Sequence, residues 1–345
     1  MKWNLPIGFL LAGSLGLAGC GMAYPAPKGT FVPIGEMNAH RYRHTATLLT
    51  DGRVLIAGGQ TEGDAYLASA ELFDPTTGKF SLTGSMSTPR AGQAATLLPD
   101  GSVLIAGGQA ANNWVASAEL YDPATGVFSP TGSMAEPRPA PTATVLQDGR
   151  VLVVGGGSTA ELYDPKTRVF SPTGPLRTAR AGQSATLLED GRVLIAGGTY
   201  ANGVPSDRSV SAELYDPKSG TFSQTDSIND PDGSGPTVRL RDGRVLMVGD
   251  GSSSHLYDPR SGKFTLTGKM SGAQASGTAT ILADGRVLVV GGSSYSDEIY
   301  DPTSGTFSFV FTRTAGARPT ATLLKDGRVL IVGGDFLLGP GLYQP

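Results

Sequence analysis

Two charged residue types recur at fixed positions in the first half of the chain, and together they could transfer protons or bind an anion. They are Arg41, Arg90, Arg138 and Arg180, with Glu71, Glu119, Glu161 and Glu213. A glutamate can act as a general acid or base, and an arginine can hold a carboxylate. Because both types are present together in units one to four, they could instead be structural ion pairs that bridge neighbouring strands. Both interpretations stay open on the sequence alone.

Aromatic side chains form a second group of candidates. They stand in the segments that follow the Gly-Gly pairs of the chain, as Tyr66, Trp114, Tyr200, Tyr295 and Phe336. Exposed rings suit a sugar or a protein partner, whereas a buried ring would only fix its own loop to the body. We take these five residues and the four arginines as the ligand-binding candidates.

The sequence gives little support for a metal site or for a catalytic nucleophile. The chain has three histidines, and Cys20 is its single cysteine. His40 and His44 lie in an extended segment, where four residues span about 13 Å, so they should not share a metal. His44 occupies the position of Gln93 and Gln183 in later units, which favours a structural role. Neither Gly-x-Ser-x-Gly, His-Glu-x-x-His nor a phosphate-binding loop occurs. We predict no catalytic residue, no metal and no cofactor.

A phrase repeated seven times supplies the elements that must position these residues. Asp51-Gly52-Arg53-Val54, which runs on to Gly58-Gly59, returns with small changes from Asp100, Asp148, Asp190, Asp242, Asp284 and Asp326. A period of roughly 40–50 residues with several short strands per unit is typical of a β-propeller. In the second unit we predict strands at 94–98, 103–106, 118–121 and 127–134. The sequence therefore predicts an all-β, seven-bladed propeller of four-stranded blades over residues 29–345.

The ring is expected to close through its N-terminal segment. The seventh unit stops at Pro345 before a fourth strand, while residues 29–37 match residues 78–86. An unclosed ring would leave a sheet edge unpaired. We therefore predict that the N-terminal strand completes the last blade.

The units resemble the kelch motif, with a double glycine, a later tyrosine and then an aromatic residue, as in Gly107-Gly108, Tyr121 and Phe128. The Asp-Gly-Arg-Val and Tyr-Asp-Pro-x-x-Gly segments are most similar to the propeller domain of galactose oxidase and its bacterial relatives. The resemblance implies a kelch-type propeller. It does not carry over copper oxidase activity, because the Cys–Tyr crosslink of that enzyme cannot form with a lone cysteine at position 20.

Two faces of the disc are predicted to differ. The face with the Asp-Gly and Asp-Pro-x-x-Gly turns, here the Asp-Gly face, barely varies between units. The opposite face, here the Gly-Gly face, carries loops of very different length after each Gly-Gly pair. Binding sites concentrate in variable loops on a rigid scaffold. We expect the Gly-Gly face to be functional and the Asp-Gly face to be structural.

The first residues resemble a bacterial lipoprotein signal peptide. An apolar run ends in Leu17-Ala18-Gly19-Cys20, which is similar to a lipobox and implies lipidation of Cys20. Gly21 follows where an inner-membrane retention signal would have aspartate. We expect residues 1–20 to be the signal peptide, 21–28 a tether, and the outer membrane of a bacterium to be the destination.

These observations lead to one leading hypothesis and one alternative. The net charge of −3 implies no general attraction to nucleic acid. We expect a lipid-anchored, non-catalytic scaffold that binds a protein or glycan at the cell envelope through its Gly-Gly face. The alternative is a carbohydrate enzyme resembling the kelch-type sialic-acid epimerases, a mutarotase using the arginines and glutamates near the channel mouth.

Overall fold

The computed structural model describes residues 29–345 except for 112, 199–210, 229, 231–234, 250, 273–276, 292–296, 311–317 and 335–338. It contains seven four-stranded antiparallel sheets, which are the predicted blades. Its secondary structure is all β, as predicted. Over the described ranges, none of the secondary structure is a helix suited to crossing a membrane.

The two inner strands of each blade surround the propeller axis. The innermost strands, each in contact with the innermost strands of the neighbouring blades, are β2 (Thr45–Leu48), β6 (Ala94–Leu97), β12 (Thr142–Val145), β16 (Ser184–Leu187), β20 (Thr237–Arg239), β24 (Thr278–Ile281) and β28 (Thr320–Leu323). The second strands are β3 (Val54–Ala57), β7 (Val103–Ala106), β13 (Val151–Val154), β17 (Val193–Ala196), β21 (Val245–Val248), β25 (Val287–Val290) and β29 (Val329–Val332). Every residue of the second strands is buried, because a blade covers each of their two faces.

The two outer strands complete the blades. The third strands are β4 (Ala70–Asp74), β10 (Ala118–Asp122), β14 (Ala160–Asp164), β18 (Ala212–Asp216), β22 (Ser254–Asp258), β26 (Asp297–Asp301) and β30 (Gly341–Gln344). The outermost strands are β5 (Lys79–Leu82), β11 (Val127–Pro130), β15 (Val169–Pro172), β19 (Thr221–Gln224), β23 (Lys263–Leu266), β27 (Thr306–Val310) and β1 (Thr30–Pro33). A small hairpin, β8 (Gln109–Ala110) with β9 (Asn113–Trp114), projects from the second blade.

The N-terminal strand closes the ring as predicted. β1 pairs antiparallel with β30, so that Thr30 faces Gln344 and Pro33 faces Gly341. The seventh sheet thus has the order β1-β30-β29-β28. Closure pairs the edge that the last blade would otherwise expose.

The apolar cores lie between the blades. One cluster joins Leu104 and Leu120 of blade 2 to Val151, Val153 and Tyr163 of blade 3. The six other clusters likewise combine residues of two adjacent blades, including blades 7 and 1. A single sheet cannot bury its own apolar faces, so each blade is stabilised by packing against the two neighbouring blades.

The second blade's outermost strand is shorter than the predicted 127–134. It ends at Pro130, and the chain then crosses to the third blade. The Gly132 amide donates to the Arg168 carbonyl at 3.1 Å, and the Thr131 and Tyr163 hydroxyls lie 2.8 Å apart. The same segment keeps backbone bonds to its own blade, from the Thr131 amide to Ala118 at 3.1 Å and from the Met134 amide to Ala116 at 3.0 Å, so it links the two blades.

Candidate functional site on the Gly-Gly face

The four recurring arginines form buried ion pairs with the four recurring glutamates. The distances between arginine Nη2 and glutamate Oε1 run from 2.7 to 3.1 Å, in the pairs Arg41–Glu71, Arg90–Glu119, Arg138–Glu161 and Arg180–Glu213. In every pair both side chains are 5 % exposed or less. The guanidinium and carboxylate groups therefore meet each other inside the protein.

The contacts around Arg41 and Glu71 explain why such a pair is useful to a blade. Arg41 Nη1 donates to the carbonyls of Gly58, at 3.0 Å, and Ser69, at 2.9 Å, which flank the loop between two strands. Glu71 accepts the Asn38 amide at 2.8 Å, on the segment that enters the blade. Burial opposes the charge of Glu71, but the hydrogen bonds from Asn38 and the charge of Arg41 hold the pKa of this carboxyl below its usual value.

This geometry favours the structural interpretation of the recurring residues. Arg90 and Glu119 are mutually paired at 3.1 Å and almost inaccessible. A buried pair of this kind is costly to break, and it offers a ligand neither a free guanidinium nor a free carboxylate. The enzyme alternative, which needs both groups at the channel mouth, is correspondingly weakened.

Blades 5 and 6 depart from this pattern. His255 takes the glutamate position in blade 5, where burial lowers its pKa. Blade 6 keeps Glu298, whose Oε1 accepts the Ser271 amide at 2.8 Å. No arginine within the described ranges forms an ion pair with Glu298, and burial raises its pKa. Among the described residues, hydrogen bonds from the Ser271 amide and hydroxyl take the place that the arginine holds in the first four blades.

Two other arginines stand at the channel mouth in strained backbone. Arg43 of blade 1 has φ 55°, and Arg318 of the adjacent blade 7 has φ 67°. Blades 2 and 4 place Gly92 and Gly182 at this position, with φ 62° and 66°, and blade 3 places Ala140 there, with φ 41°. A left-handed conformation costs a side-chain-bearing residue about 1–2 kcal/mol. Such strain tends to persist at functional sites.

Arg43 lies across the mouth toward the second blade. Its Nη1 donates to Gln60 Oε1 at 3.1 Å and to Gln109 Oε1 at 3.3 Å. Gly92 makes room for it, because a Cβ there would lie 3.0 Å from Arg43 Nη2. Burial and the neighbouring charge of Arg318 lower the pKa of Arg43. The guanidinium is thus half-buried and positioned by two side-chain amides.

Backbone pairing brings aromatic rings to the same place. Gln60 forms bridges with both Tyr42 and Tyr66, and Gln109 faces Trp114 across the β8–β9 hairpin. Trp114 is 42 % exposed. The Tyr42 hydroxyl donates to Asp64 Oδ1 at 2.8 Å, and this hydrogen bond raises the pKa of Tyr42. An arginine, two amides and an exposed indole together suit a ligand with a carboxylate and an apolar or sugar face.

Of the five aromatic candidates, the structure describes two. Tyr66 is half-buried and Trp114 is exposed, beside the Arg43 cluster. Tyr200, Tyr295 and Phe336 lie outside the described residues, so their rim role stays a prediction. Sequence reasoning missed Arg43 and Arg318, although both stand where the other units have glycine, alanine or serine.

His44 has the structural role that its position predicted. Its Nε2 lies 2.9 Å from Thr320 Oγ1 on blade 7, and Gln93 and Gln183 also hydrogen-bond the preceding blade. Burial, with the charge of Arg41, lowers the pKa of His44 to about 3. Across the described ranges, no three histidine, cysteine, aspartate or glutamate residues are grouped so that they could hold a metal.

Comparison with known proteins agrees with this architecture. The Kelch motif family matches residues 41–87, which run from Arg41 through the first blade. No curated protein matches the sequence. Among solved structures, a fungal alcohol oxidase of the AA5 family, in complex with copper, superposes with a TM-score of 0.75 at 17 % identity. The match covers 91 % of this chain and 76 % of that one. At this identity the likeness shows the fold.

Proposed function

We propose that this seven-bladed, kelch-motif propeller is a non-catalytic binding scaffold whose ligand site is the channel mouth on the Gly-Gly face. The observation that carries the proposal is Arg43. It is held in a left-handed conformation with φ 55°, half-buried between two glutamine side chains and beside the exposed Trp114. A strained arginine that forms no ion pair with the residues described by the structure suits a ligand that supplies the carboxylate. The ligand is a glycan or protein segment that carries such a group.

The test compares ligand capture by the full chain with capture by two variants. Trp114→Ala removes the exposed ring, and Arg43→Gly installs the residue that blades 2 and 4 already use. Arg260→Ala, on the opposite face, is the control. In glycan-array and pull-down experiments both site variants should lose the ligands that the control retains. Identical profiles for all four proteins would refute the site.

The enzyme alternative is tested by the buried pairs. A sugar mutarotase or epimerase that used Glu119 would lose its turnover in Glu119→Gln while remaining folded. We favour binding, because Glu119 is 2 % exposed and paired with Arg90. Turnover of a sugar by the wild-type protein, abolished in a Glu119→Gln variant that remains folded, would instead establish the enzyme.

The copper of the fungal oxidase is not extended to this chain. His40 is exposed, His44 faces blade 7, and His255 belongs to the third strand of blade 5. These side chains sit in different surroundings and offer no common ligand set.

Anchoring at the envelope is the second part of the proposal. It depends on the lipobox resemblance at Leu17–Cys20, which lies outside the described residues. Metabolic labelling with a fatty acid should mark the wild-type protein and not Cys20→Ser, and only the wild type should sediment with outer membranes. A Cys20→Ser protein that still sediments with outer membranes would contradict lipid anchoring.

A further inference from the structure

The Asp-Gly face carries an almost complete ring of aspartate–arginine pairs. The third residue of the Asp-Gly turn is arginine in six of the seven units, at Arg53, Arg150, Arg192, Arg244, Arg286 and Arg328. In each, Nε donates to the turn aspartate, as from Arg53 to Asp51 at 2.7 Å and from Arg192 to Asp190 at 2.8 Å. These pairs are partly exposed.

Several of these arginines also reach the next blade. Arg53 Nη2 donates to the Pro123 carbonyl at 3.2 Å, and Arg192 Nη2 donates to the Pro259 carbonyl at 3.4 Å. Arg328 makes the same contact across the closing seam, with Pro75 at 2.8 Å. The guanidinium thus fills the cleft between its own aspartate and the Asp-Pro turn of the neighbouring blade.

Blade 2 lacks this arginine. Its turn has Ser102, and Asp100 accepts the Ser102 amide at 2.9 Å and hydroxyl at 2.7 Å. In the described part of the chain, no cation lies within ion-pair distance of Asp100. The serine is also too short to reach Pro165, which stands where Pro123 and Pro259 stand in their blades. The carboxylate and the carbonyl that hold an arginine elsewhere are both present here.

The space left by the arginine is an open groove. Between blades 4 and 5, where Arg192 is in place, the groove measures about 360 Å³. The equivalent groove between blades 2 and 3, lined by Asp100, Asp148 and Pro165, measures about 560 Å³. A further groove of about 440 Å³ includes both Asp100 and Ser102. The two grooves share the Asp100 carboxylate in their lining.

We propose that this groove is a docking site for an arginine side chain of a partner protein. The chain's own arginines show how a guanidinium is held in equivalent clefts, between a carboxylate and a proline carbonyl. The groove has an excess of negative charge that favours a cationic ligand. Its lining includes three aspartates, Asp100, Asp148 and Asp164, and two basic residues, Arg150 and Lys166. A planar guanidinium can engage both acceptors at once, whereas a lysine ammonium is a point charge.

Arg168 is the internal group that could compete for this place. It replaces the glycine that ends the equivalent turn in other blades, has φ 60°, is exposed, and lines the smaller groove of blade 2. It forms no ion pair with Asp100 in the part of the chain that the structure describes. Arg168→Gly restores the turn residue of the other blades, so it separates this competitor from the docking site.

The test titrates the full chain with a short capped peptide that contains one arginine, and with its lysine twin. By calorimetry or NMR the arginine peptide should bind one site, with a Kd on the order of 1 mM. Ser102→Arg, which fills the groove, and Asp100→Asn should each weaken binding about tenfold or more. Arg168→Gly should keep it. Arg192→Ser should open a second groove and raise the stoichiometry to two.

Several results would overturn the proposal. Equal binding by wild type and Ser102→Arg would place the peptide elsewhere, and equal binding of the two peptides would remove the guanidinium requirement. Loss of binding in Arg168→Gly would assign the contact to Arg168. The increase in stoichiometry expected for Arg192→Ser is a gain of binding, so it tests the proposal even if another variant fails to fold. Trp114→Ala should leave all these results unchanged, which separates this site from the proposed channel-mouth site.

Discussion

Ile34 packs against the apolar cluster that contains Phe73, where the N-terminal strand meets the first blade. At five other seams the same two positions hold a threonine and a tyrosine whose hydroxyls lie 2.8–3.0 Å apart, as in Thr131 with Tyr163. At the closing seam both hydroxyls are replaced together. The seam that joins the two ends of the chain is therefore apolar at a place where five of the other six seams are polar.

A double-mutant cycle can test this exchange. Phe73→Tyr should bury a hydroxyl without a partner and lower the free energy of unfolding by about 1–3 kcal/mol. Ile34→Thr should also destabilise, because it removes apolar contact. The double variant should recover part of the loss by restoring the threonine–tyrosine hydrogen bond. Denaturant unfolding of the four proteins measures the coupling, and strictly additive losses would contradict it.

Closure by the N-terminal strand predicts a large effect of truncation. Deletion of 21–37 removes β1, exposes the edge of β30, and uncovers the contacts of Phe31, Ile34 and Met37 with the last core clusters. Those contacts are worth roughly 5 kcal/mol, so thermal unfolding should shift far down and lose cooperativity. Deletion of 21–28, the predicted tether, is the matched control and should melt like the full chain. Equal melting of both deletions would show that closure contributes little.

Two buried glutamates should respond to pH in opposite ways. The pKa of Glu71 is lowered in the folded protein, so its contribution to stability is present above its unfolded pKa and is lost as the pH falls through the folded value. The pKa of Glu298 is raised by burial, so its ionisation destabilises the fold as the pH rises. Glu71→Gln should therefore destabilise at neutral pH, and Glu298→Gln should stabilise there. Both differences should shrink near pH 3, and unfolding curves across this range measure them. The same sign for both variants would contradict the assignment.

His44 predicts a separate acid sensitivity. Its folded pKa of about 3 lies below the ordinary 6.5, so the unfolded chain takes up a proton that the folded protein excludes. Stability is therefore lost as the pH falls from 6.5 toward 3. His44→Gln, which installs the residue of blades 2 and 4, should remove up to about 2 kcal/mol of this loss by pH 5. The melting temperatures of variant and wild type should diverge on acidification, and parallel curves would contradict the prediction.

Much of the fold could be predicted because the repeats are nearly identical. The seven Asp-Gly turns fix the number of blades, and the match of residues 29–37 to residues 78–86 fixes the closing strand. The joint occurrence of Arg90 and Glu119 predicted their contact. The candidate site was harder to predict, because it combines strained residues of blades 1 and 7 with a hairpin of blade 2. Nothing in the spacing of Arg43 shows that Gln109 and Trp114 lie beside it. That proximity follows from the curvature of the ring.

The Asp-Gly face shows that little variation between units does not prove a purely structural role. Its turns vary little, and we expected it to be structural. Six arginines do hold their own aspartates, and Arg53 and Arg192 also bind the adjacent blade. Ser102 is a single substitution within a nearly invariant repeat, so the repeat pattern alone does not indicate that it matters. Its importance depends on the groove and on the contacts that its counterparts make.

Cores shared between neighbouring blades affect how the protein comes apart. Each of the seven clusters belongs to two blades, so losing one blade removes two clusters. In an open array of repeats, unravelling can start at a terminal unit that has only one neighbour. A closed circle has no terminal unit, and every position is held from both sides. Resistance to fraying is thus a property of the circle, and cutting it at any seam should convert a single transition into a progressive one.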